Sequence, residues 1–432
     1  MKHIKSAHIL PGLAILSLLF FAASLYQRVI TFDDAFFAEQ AYWLNQAGYA
    51  RSELLEGILD WGERQYVYHK LHVWQIALVA KFAGWSPYFF KAIPLVYLLV
   101  FCVFVYRYFK TSLAPGNNSH FYIFIGLFFF NTYIIQYGFE SRPEIMMMSL
   151  GFLAYLAVRR GIETGLSRYI VLGAALAGAA TLLHLNGLVF IVAGVVLLVY
   201  ARRFNFVFIY LVSAALVAAV YFTDMVANNA LDIGLAQLTH DPALAHDRFS
   251  LFDRLLKFLR APKRFVSHLY DVSCTLLFVT VLYVNRVRLK SSPELRSLLV
   301  FFIASEITLA AIGPDNKNMY LALHMPFVLI VIALLLPDTL RRVARPIAVH
   351  FLLVFYVLTQ FGHSLSIMRQ SNAEIVAIHS RITQDYGIHQ ADRIIAPAVF
   401  VFNEIGVARI GAAESLRMLY GVDETDYNAC LL

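Results

Sequence analysis

The sequence predicts an all-α polytopic membrane protein, a bundle of about eleven transmembrane helices with juxtamembrane helices on its outer face. Two observations carry this. Apolar residues make up 60% of the 432 and charged residues 15%, whereas soluble domains run near one half and one quarter. The apolar residues also gather into runs long enough to cross a bilayer, at about 9–27, 89–109, 119–137, 143–158, 168–184, 187–201, 206–224, 265–285, 297–313, 319–337 and 346–364.

The first run follows Lys2 and Lys5, so the chain enters with its N-terminus inside. Ala22-Ala23-Ser24 imitates a cleavage site, but the run reads as a retained span. A shorter run, 71–84, carries His72 and Lys81 and reads as a helix on or dipping into the outer leaflet. This choice puts Arg107/Lys110, Arg159/Arg160/Arg168, Arg202/Arg203, Arg286/Arg288/Lys290 and Arg341/Arg342/Arg345 inside. Counting 71–84 as a span would put them all outside, against the positive-inside rule. Loop 29–88, segment 225–264, the connection 313–318 and the tail from about 365 then face outward. The basic balance of +7 belongs to span ends and needs no nucleic acid. Two of the three cysteines, Cys102 and Cys274, lie inside apolar runs, which argues against a disulfide framework.

The chemistry collects at one face. Asp33-Asp34 stands where the first span exits, followed by Ala38-Glu39. Ionisable groups at a membrane boundary are costly and point to function. One of the pair can cap the helix that follows, while the other serves as a base or stabilises an oxocarbenium-like centre. Trp61 to His72, with His69 and Lys70, reads either as an aromatic belt with snorkelling cations or as a phosphate clamp. Glu140-Ser141-Arg142-Pro143-Glu144 opens a span; Pro143 and Glu144 suit a helix start, and Glu144 also sets a second carboxylate near the first. His184 sits in a tight outer turn. Lys317 and Tyr320 stand at the mouth of a span as anchors or phosphate ligands. Residues 248–260 show a basic amphipathic pattern suited to the interface. His240-Asp241 and His246-Asp247 match no metal spacing.

In this order and at this depth, the motifs resemble the GT-C superfamily of integral-membrane glycosyltransferases, in particular the protein O-mannosyltransferase and lipid A aminoarabinose transferase group. The resemblance rests on Asp33-Asp34 with Ala38-Glu39, on Tyr68-His69-Lys70-Leu71-His72-Val73, on Arg142-Pro143-Glu144 and on the stretch from Lys317 to Pro326. It covers residues 1–365, leaving 366–432 as a short outer segment. Leu71-His72 stands where the group has a proline pair. The resemblance implies a polyprenyl-phosphate sugar donor, inversion at the anomeric carbon, and a lipid, glycan or protein acceptor. It makes Asp33 the essential carboxylate, assisted by Asp34 or Glu144. Lys70, His69, His72, Lys317 and Tyr320 would hold the donor phosphate, with Arg260 and Lys263 next in line. Glu39, Arg142 and His184 are further candidates. A divalent metal is allowed but not required by the motifs. The expected location is a bacterial-type inner membrane, with the site facing the periplasm or outside. The absence of a Walker A motif or dinucleotide fingerprint agrees with a lipid-linked donor. A flippase of lipid-linked sugars is the competing class, but inverted repeats with broken midplane helices are not evident. A non-catalytic scaffold on the same fold is the third.

Overall fold

The computed structural model describes residues 2–26, 28–112, 118–240, 258–312, 318–343, 346–370, 374–389 and 392–415. Every apolar run named above is helical over most of its length. Among the described residues, five helices are long and apolar enough to cross a membrane: Pro87–Thr111, Glu144–Thr164, Phe204–Ala227, Pro293–Ile312 and Ile347–Arg369. Phe258–Val266 and Leu269–Val284, bent by 98°, make a sixth if the pair counts as one. Shorter apolar helices cover much of the rest, among them Ile9–Ser24, Ser119–Phe130, Ser167–Leu183 and Leu185–Tyr200. Polar residues cause some of the shortening. Asn131 accepts from Tyr133 N at 3.1 Å and splits the 119–137 run into Ser119–Phe130 and Thr132–Tyr137.

The helices are apolar on both faces. On Ile93–Ser112, Leu98, Phe101 and Val105 are buried while Val96, Leu99 and Val103 are exposed. A helix apolar all round is surrounded by protein and lipid. Small residues bring neighbours close, as membrane helices require. A Cβ on Gly173 would lie 2.7 Å from Val158 and 3.1 Å from the Ala154 carbonyl oxygen. Helices Glu144–Thr164 and Ser167–Leu183 therefore pack tightly, joined through Gly165 at φ +70°.

Loop 29–88 folds into two helices, Phe32–Ala47 and Lys70–Ala83, that pack on each other. The second has 14 residues, about 21 Å at 1.5 Å per residue. That is shorter than the roughly 30 Å hydrocarbon core.

The all-α expectation needs one correction. In the tail, Arg393–Ala396 and Arg409–Ala412 pair as a two-stranded parallel sheet, joined through the helical turns Ala398–Phe400 and Val401–Glu404. Strands of four residues are too short for their alternation to be legible. The helix Ile347–Arg369 runs on past 365, and a further helix, Ile375–Tyr386, precedes the first strand. The sheet sits on the outer loop: Ala412 N donates to the Leu54 carbonyl oxygen at 3.0 Å. Phe402 meets Trp85 and Phe90 at centroid distances of 6.0 and 6.4 Å.

Candidate active site

The two adjacent aspartates do different jobs. Thr31, not Asp34, is the N-cap of Phe32–Ala47. Its hydroxyl accepts from Asp34 N at 3.3 Å, and its own N–H donates to Asp34 Oδ2 at 2.8 Å, closing a capping box. Asp34 Oδ2 also accepts from Lys91 Nζ at 3.1 Å, and Oδ1 from Ser141 N at 2.7 Å. Its side chain is 1% exposed. Both its oxygens are engaged in holding the helix start, the 140s loop and Lys91 together.

Asp33 stands one residue earlier, in the first helical turn, and its side chain is 33% exposed. It pairs with Arg142, which also grips Glu144 with two bonds, Nη2 to Oε1 at 2.8 Å and Nε to Oε2 at 3.2 Å. Glu144 opens its helix with Pro143 as N-cap and is buried. One guanidinium therefore joins two carboxylates that lie far apart in sequence. Desolvation raises the Asp33 pKa above the ordinary carboxylate value; Arg142 opposes this, while Glu144 and Asp34 add to it. Glu140, buried beside them, is raised to about 8, chiefly by desolvation.

A stacked aromatic group lies alongside. His69 stacks on His184 at 4.5 Å between centroids. His184 Nδ1 accepts from Asn186 N at 2.9 Å, so its Nε2 carries the proton and faces Tyr320 Oη at 3.4 Å. Burial holds the His69 pKa well below its usual value. Met319, next to Tyr320, touches Arg142 at 2.8 Å through sulfur. His72 is fully buried, with Nε2 3.2 Å from the Ser141 carbonyl oxygen, and burial lowers its pKa to about 4.

The structure thus brings Asp33, Arg142, Glu144, His69, His184 and Tyr320 into one neighbourhood. Lys70 is turned elsewhere. Its buried ammonium pairs with Asp224 and faces the rings of Tyr68 and Tyr221. Glu39 is buried and accepts from Ser52 Oγ at 2.6 Å, Glu53 N at 2.6 Å and Leu54 N at 3.0 Å. Lys317 and residues 241–257, which hold most of the 248–260 pattern and the His246-Asp247 pair, lie outside the described residues. Among the described residues no group of three or more His, Cys, Asp or Glu is placed to hold a metal.

Sequence reading missed Lys91, Arg28 and Asp224. All three stand at the edges of apolar runs, where a charge is expensive and therefore informative. Arg28 is buried and donates to the Gln136 carbonyl oxygen at 2.7 Å.

An apolar groove of about 550 Å³ opens near this centre, lined by Phe265, Tyr270, Phe278, Phe302 and Leu321 among others. The turn Asn318–Leu323 links the two: Met319 touches Arg142, and Leu321 lines the groove. Lys263 supplies a cation to the lining, which also includes Tyr133 and Asp271, joined to each other by a 2.7 Å hydrogen bond.

No family model and no curated protein sequence matches the chain. Solved structures do. ArnT from Cupriavidus metallidurans in the apo state shares 12% identity at a TM-score of 0.62, covering 94% of this chain and 86% of that one. The same protein bound to undecaprenyl phosphate gives 12% and 0.61, covering 97% and 94%. The archaeal oligosaccharyltransferase AglB from Archaeoglobus fulgidus, with an inhibitory peptide and a dolichol-phosphate, gives 11% and 0.50, covering 94% and 65%. These neighbours are members of the GT-C superfamily, and the fold of this chain is GT-C-like.

Proposed function

We propose that this chain is a membrane glycosyltransferase that moves a sugar from a polyprenyl-phosphate donor to a lipid, glycan or protein acceptor at the outer face, with inversion. The observation that carries this reading is the pairing of a partly exposed Asp33 on Arg142 with an apolar groove reached through the Asn318–Leu323 turn. The lipid carriers bound to the two neighbours, undecaprenyl phosphate and dolichol-phosphate, support a donor of that class. The prenyl tail occupies the groove. Asp33 takes the proton from the acceptor hydroxyl. That oxygen attacks the anomeric carbon as the carbon–oxygen bond to phosphate breaks, and the phosphate leaves with the electron pair. Arg142 and Glu144 fix the Asp33 carboxylate. Lys263 on the groove wall and Lys317 are the cations assigned to the leaving phosphate, since Lys70 is committed to Asp224. His69, His72 and Tyr320 shape the site. The eleven-span topology, with residues 1–365 as the membrane unit and a periplasmic site, is part of the proposal.

The test is transfer of labelled sugar from a native polyprenyl-phosphate pool by the purified chain, with Asp33→Asn alongside. Transfer by the wild type and its loss in the variant is the expected result. Equal transfer by both removes Asp33 from the chemistry, and no transfer from any lipid pool removes the enzyme reading. Reporter fusions after Lys110 and Arg203 should read cytoplasmic; an outside reading at both reverses the topology.

A further inference from the structure

A second cavity, of about 460 Å³, is unlike the groove in chemistry. It is a cleft where the Phe32–Ala47 and Lys70–Ala83 helices meet the tail. Two aromatic side chains, Tyr42 and Trp85, stand in its lining at 5.7 Å and 72° to each other. Around them lie three carboxamides, Asn45, Gln46 and Asn403, and the exposed ammonium of Lys81. Asn45 and Asn403 are each fixed by one bond from Nδ2 to a backbone carbonyl, Ala77 O and Val376 O, both at 2.9 Å. Asn403 Oδ1 and Trp85 Nε1 are buried and have no hydrogen-bond partner among the described residues.

The cleft is separate from the candidate active site. Tyr42 lies nine residues beyond Asp33 on the same helix, roughly 14 Å along the axis and about half a turn around it. The two sites therefore open on opposite faces of that helix. The tail completes the cleft with Asn403 and Ile405. Its fit there is close: a Cβ on Gly406 would lie 2.2 Å from Tyr42 Oη.

We propose that this cleft is a non-catalytic saccharide-binding site that takes a unit of an acidic oligosaccharide. Aromatic faces receive the apolar faces of pyranose rings, and carboxamides donate to and accept from hydroxyls. Lys81 adds a point charge for a carboxylate or phosphate on the sugar. A prenyl or acyl chain fits the 550 Å³ groove, whose exposed lining is mostly apolar, and not this cleft. The proposal extends the transferase reading by giving the chain a hold on a glycan remote from the reacting atoms, but its test does not depend on transfer.

Saturation-transfer NMR on the detergent-purified full chain, with oligogalacturonate and neutral chitohexaose as probes, tests it. Oligogalacturonate should bind more tightly than chitohexaose. Lys81→Ala should weaken the acidic probe about tenfold, the size of a lost charged hydrogen bond, and Trp85→Ala should abolish binding of both. Because Trp85 packs on Phe90, Gln46→Ala on the exposed rim provides a variant that keeps the fold and should also weaken both probes. Asp33→Asn should bind both as the wild type does, which keeps this result independent of the transfer reading. The proposal is overturned if neither probe binds, if the Lys81 and Gln46 variants bind like wild type, or if phosphatidylglycerol micelles displace the oligosaccharide.

Discussion

Two arginine–glutamate clusters in this protein use the same charges for different ends. In one, Arg142 holds Asp33 and Glu144 where the chain leaves the first hydrophobic helix. In the other, Arg264 of the bent segment Phe258–Val266 holds Glu306, which also meets His324. The difference is access. Asp33 is 33% exposed, whereas the side chains of Arg264, Glu306 and His324 are at most 12% exposed. A closed cluster pins a short segment to the helices Pro293–Ile312 and Met325–Arg342 and thereby fixes one wall of the groove. An open cluster presents a carboxylate to whatever enters. Charge composition alone does not distinguish the two clusters; the exposure of one atom group does.

The sharpest way to break this comparison is to neutralise one carboxylate in each cluster. Asp33→Asn should cut sugar transfer roughly 100- to 10,000-fold, the usual loss for a general base, while folded yield stays unchanged. Single-turnover assays on the purified variant check this. Glu306→Gln should do the reverse in kind. It leaves a buried guanidinium unpaired, at a cost of about 3–5 kcal/mol, visible as a large fall in thermal-shift midpoint in detergent. A Glu306 variant with normal stability and no activity would move the chemistry to the second cluster.

Asp34→Asn tests the adjacent pair at lower amplitude. The amide oxygen can still serve the cap, but the new NH2 group faces the Ser141 N–H, so that bond is lost together with the charge opposite buried Lys91, about 3 kcal/mol. Denaturation midpoints should fall, and the residual folded protein should transfer sugar at near wild-type rate. Loss of turnover without loss of stability would show that the two aspartates share the chemistry.

The pH profile sharpens the role of Asp33. Its pKa is raised, so the ionised base is lost as pH falls through a value above the usual carboxylate range. Transfer should show an acid limb there. Glu144 raises the Asp33 value through like charge, so Glu144→Gln should move that limb to lower pH. A shift upward, measured in kcat against pH, would contradict the arrangement.

Much of this was legible in the sequence because membranes make charges conspicuous. The position of Asp33, the Arg142-Pro143-Glu144 helix start and His184 in its turn all stood out against apolar surroundings, and the structure gathers them. What was not legible was pairing. Nothing in the local sequence tells Lys70 to face Asp224, 154 residues away, rather than the proposed active centre. Nor does it assign Lys91 to Asp34. The roles of Asp33 and Asp34 were open for the same reason: a capping box depends on Thr31 taking extended backbone (φ −97°, ψ 169°), which only the folded chain displays. The tail's parallel strands escaped because four residues carry too little period to read.

The smallest effect per pH unit concerns Glu39, a sequence candidate that lies within the same helix as Asp33. Desolvation raises its pKa from 4.5 to about 8, against the stabilising bonds from Ser52, Leu54 and Glu53. Between about pH 4.5 and 8 the folded state therefore holds a proton that the unfolded chain has already released. Stability contributed by that proton is fully present below the lower value and declines as pH rises through the window, by at most about 1.4 kcal/mol per unit. Glu39→Gln mimics the protonated acid. Its amide oxygen can keep the Glu53 and Leu54 N–H bonds, which share Oε1, and Ser52 can turn its hydroxyl to accept from the new NH2 group. The variant should match wild type in stability near pH 5, lose part of the decline toward pH 8, and transfer sugar normally throughout. If the slope of denaturation midpoint against pH is unchanged, the proton sits elsewhere, with Glu140, also raised to about 8, the next carboxyl to neutralise. If transfer fails instead, Glu39 belongs with Asp33 and not with the loop it braces.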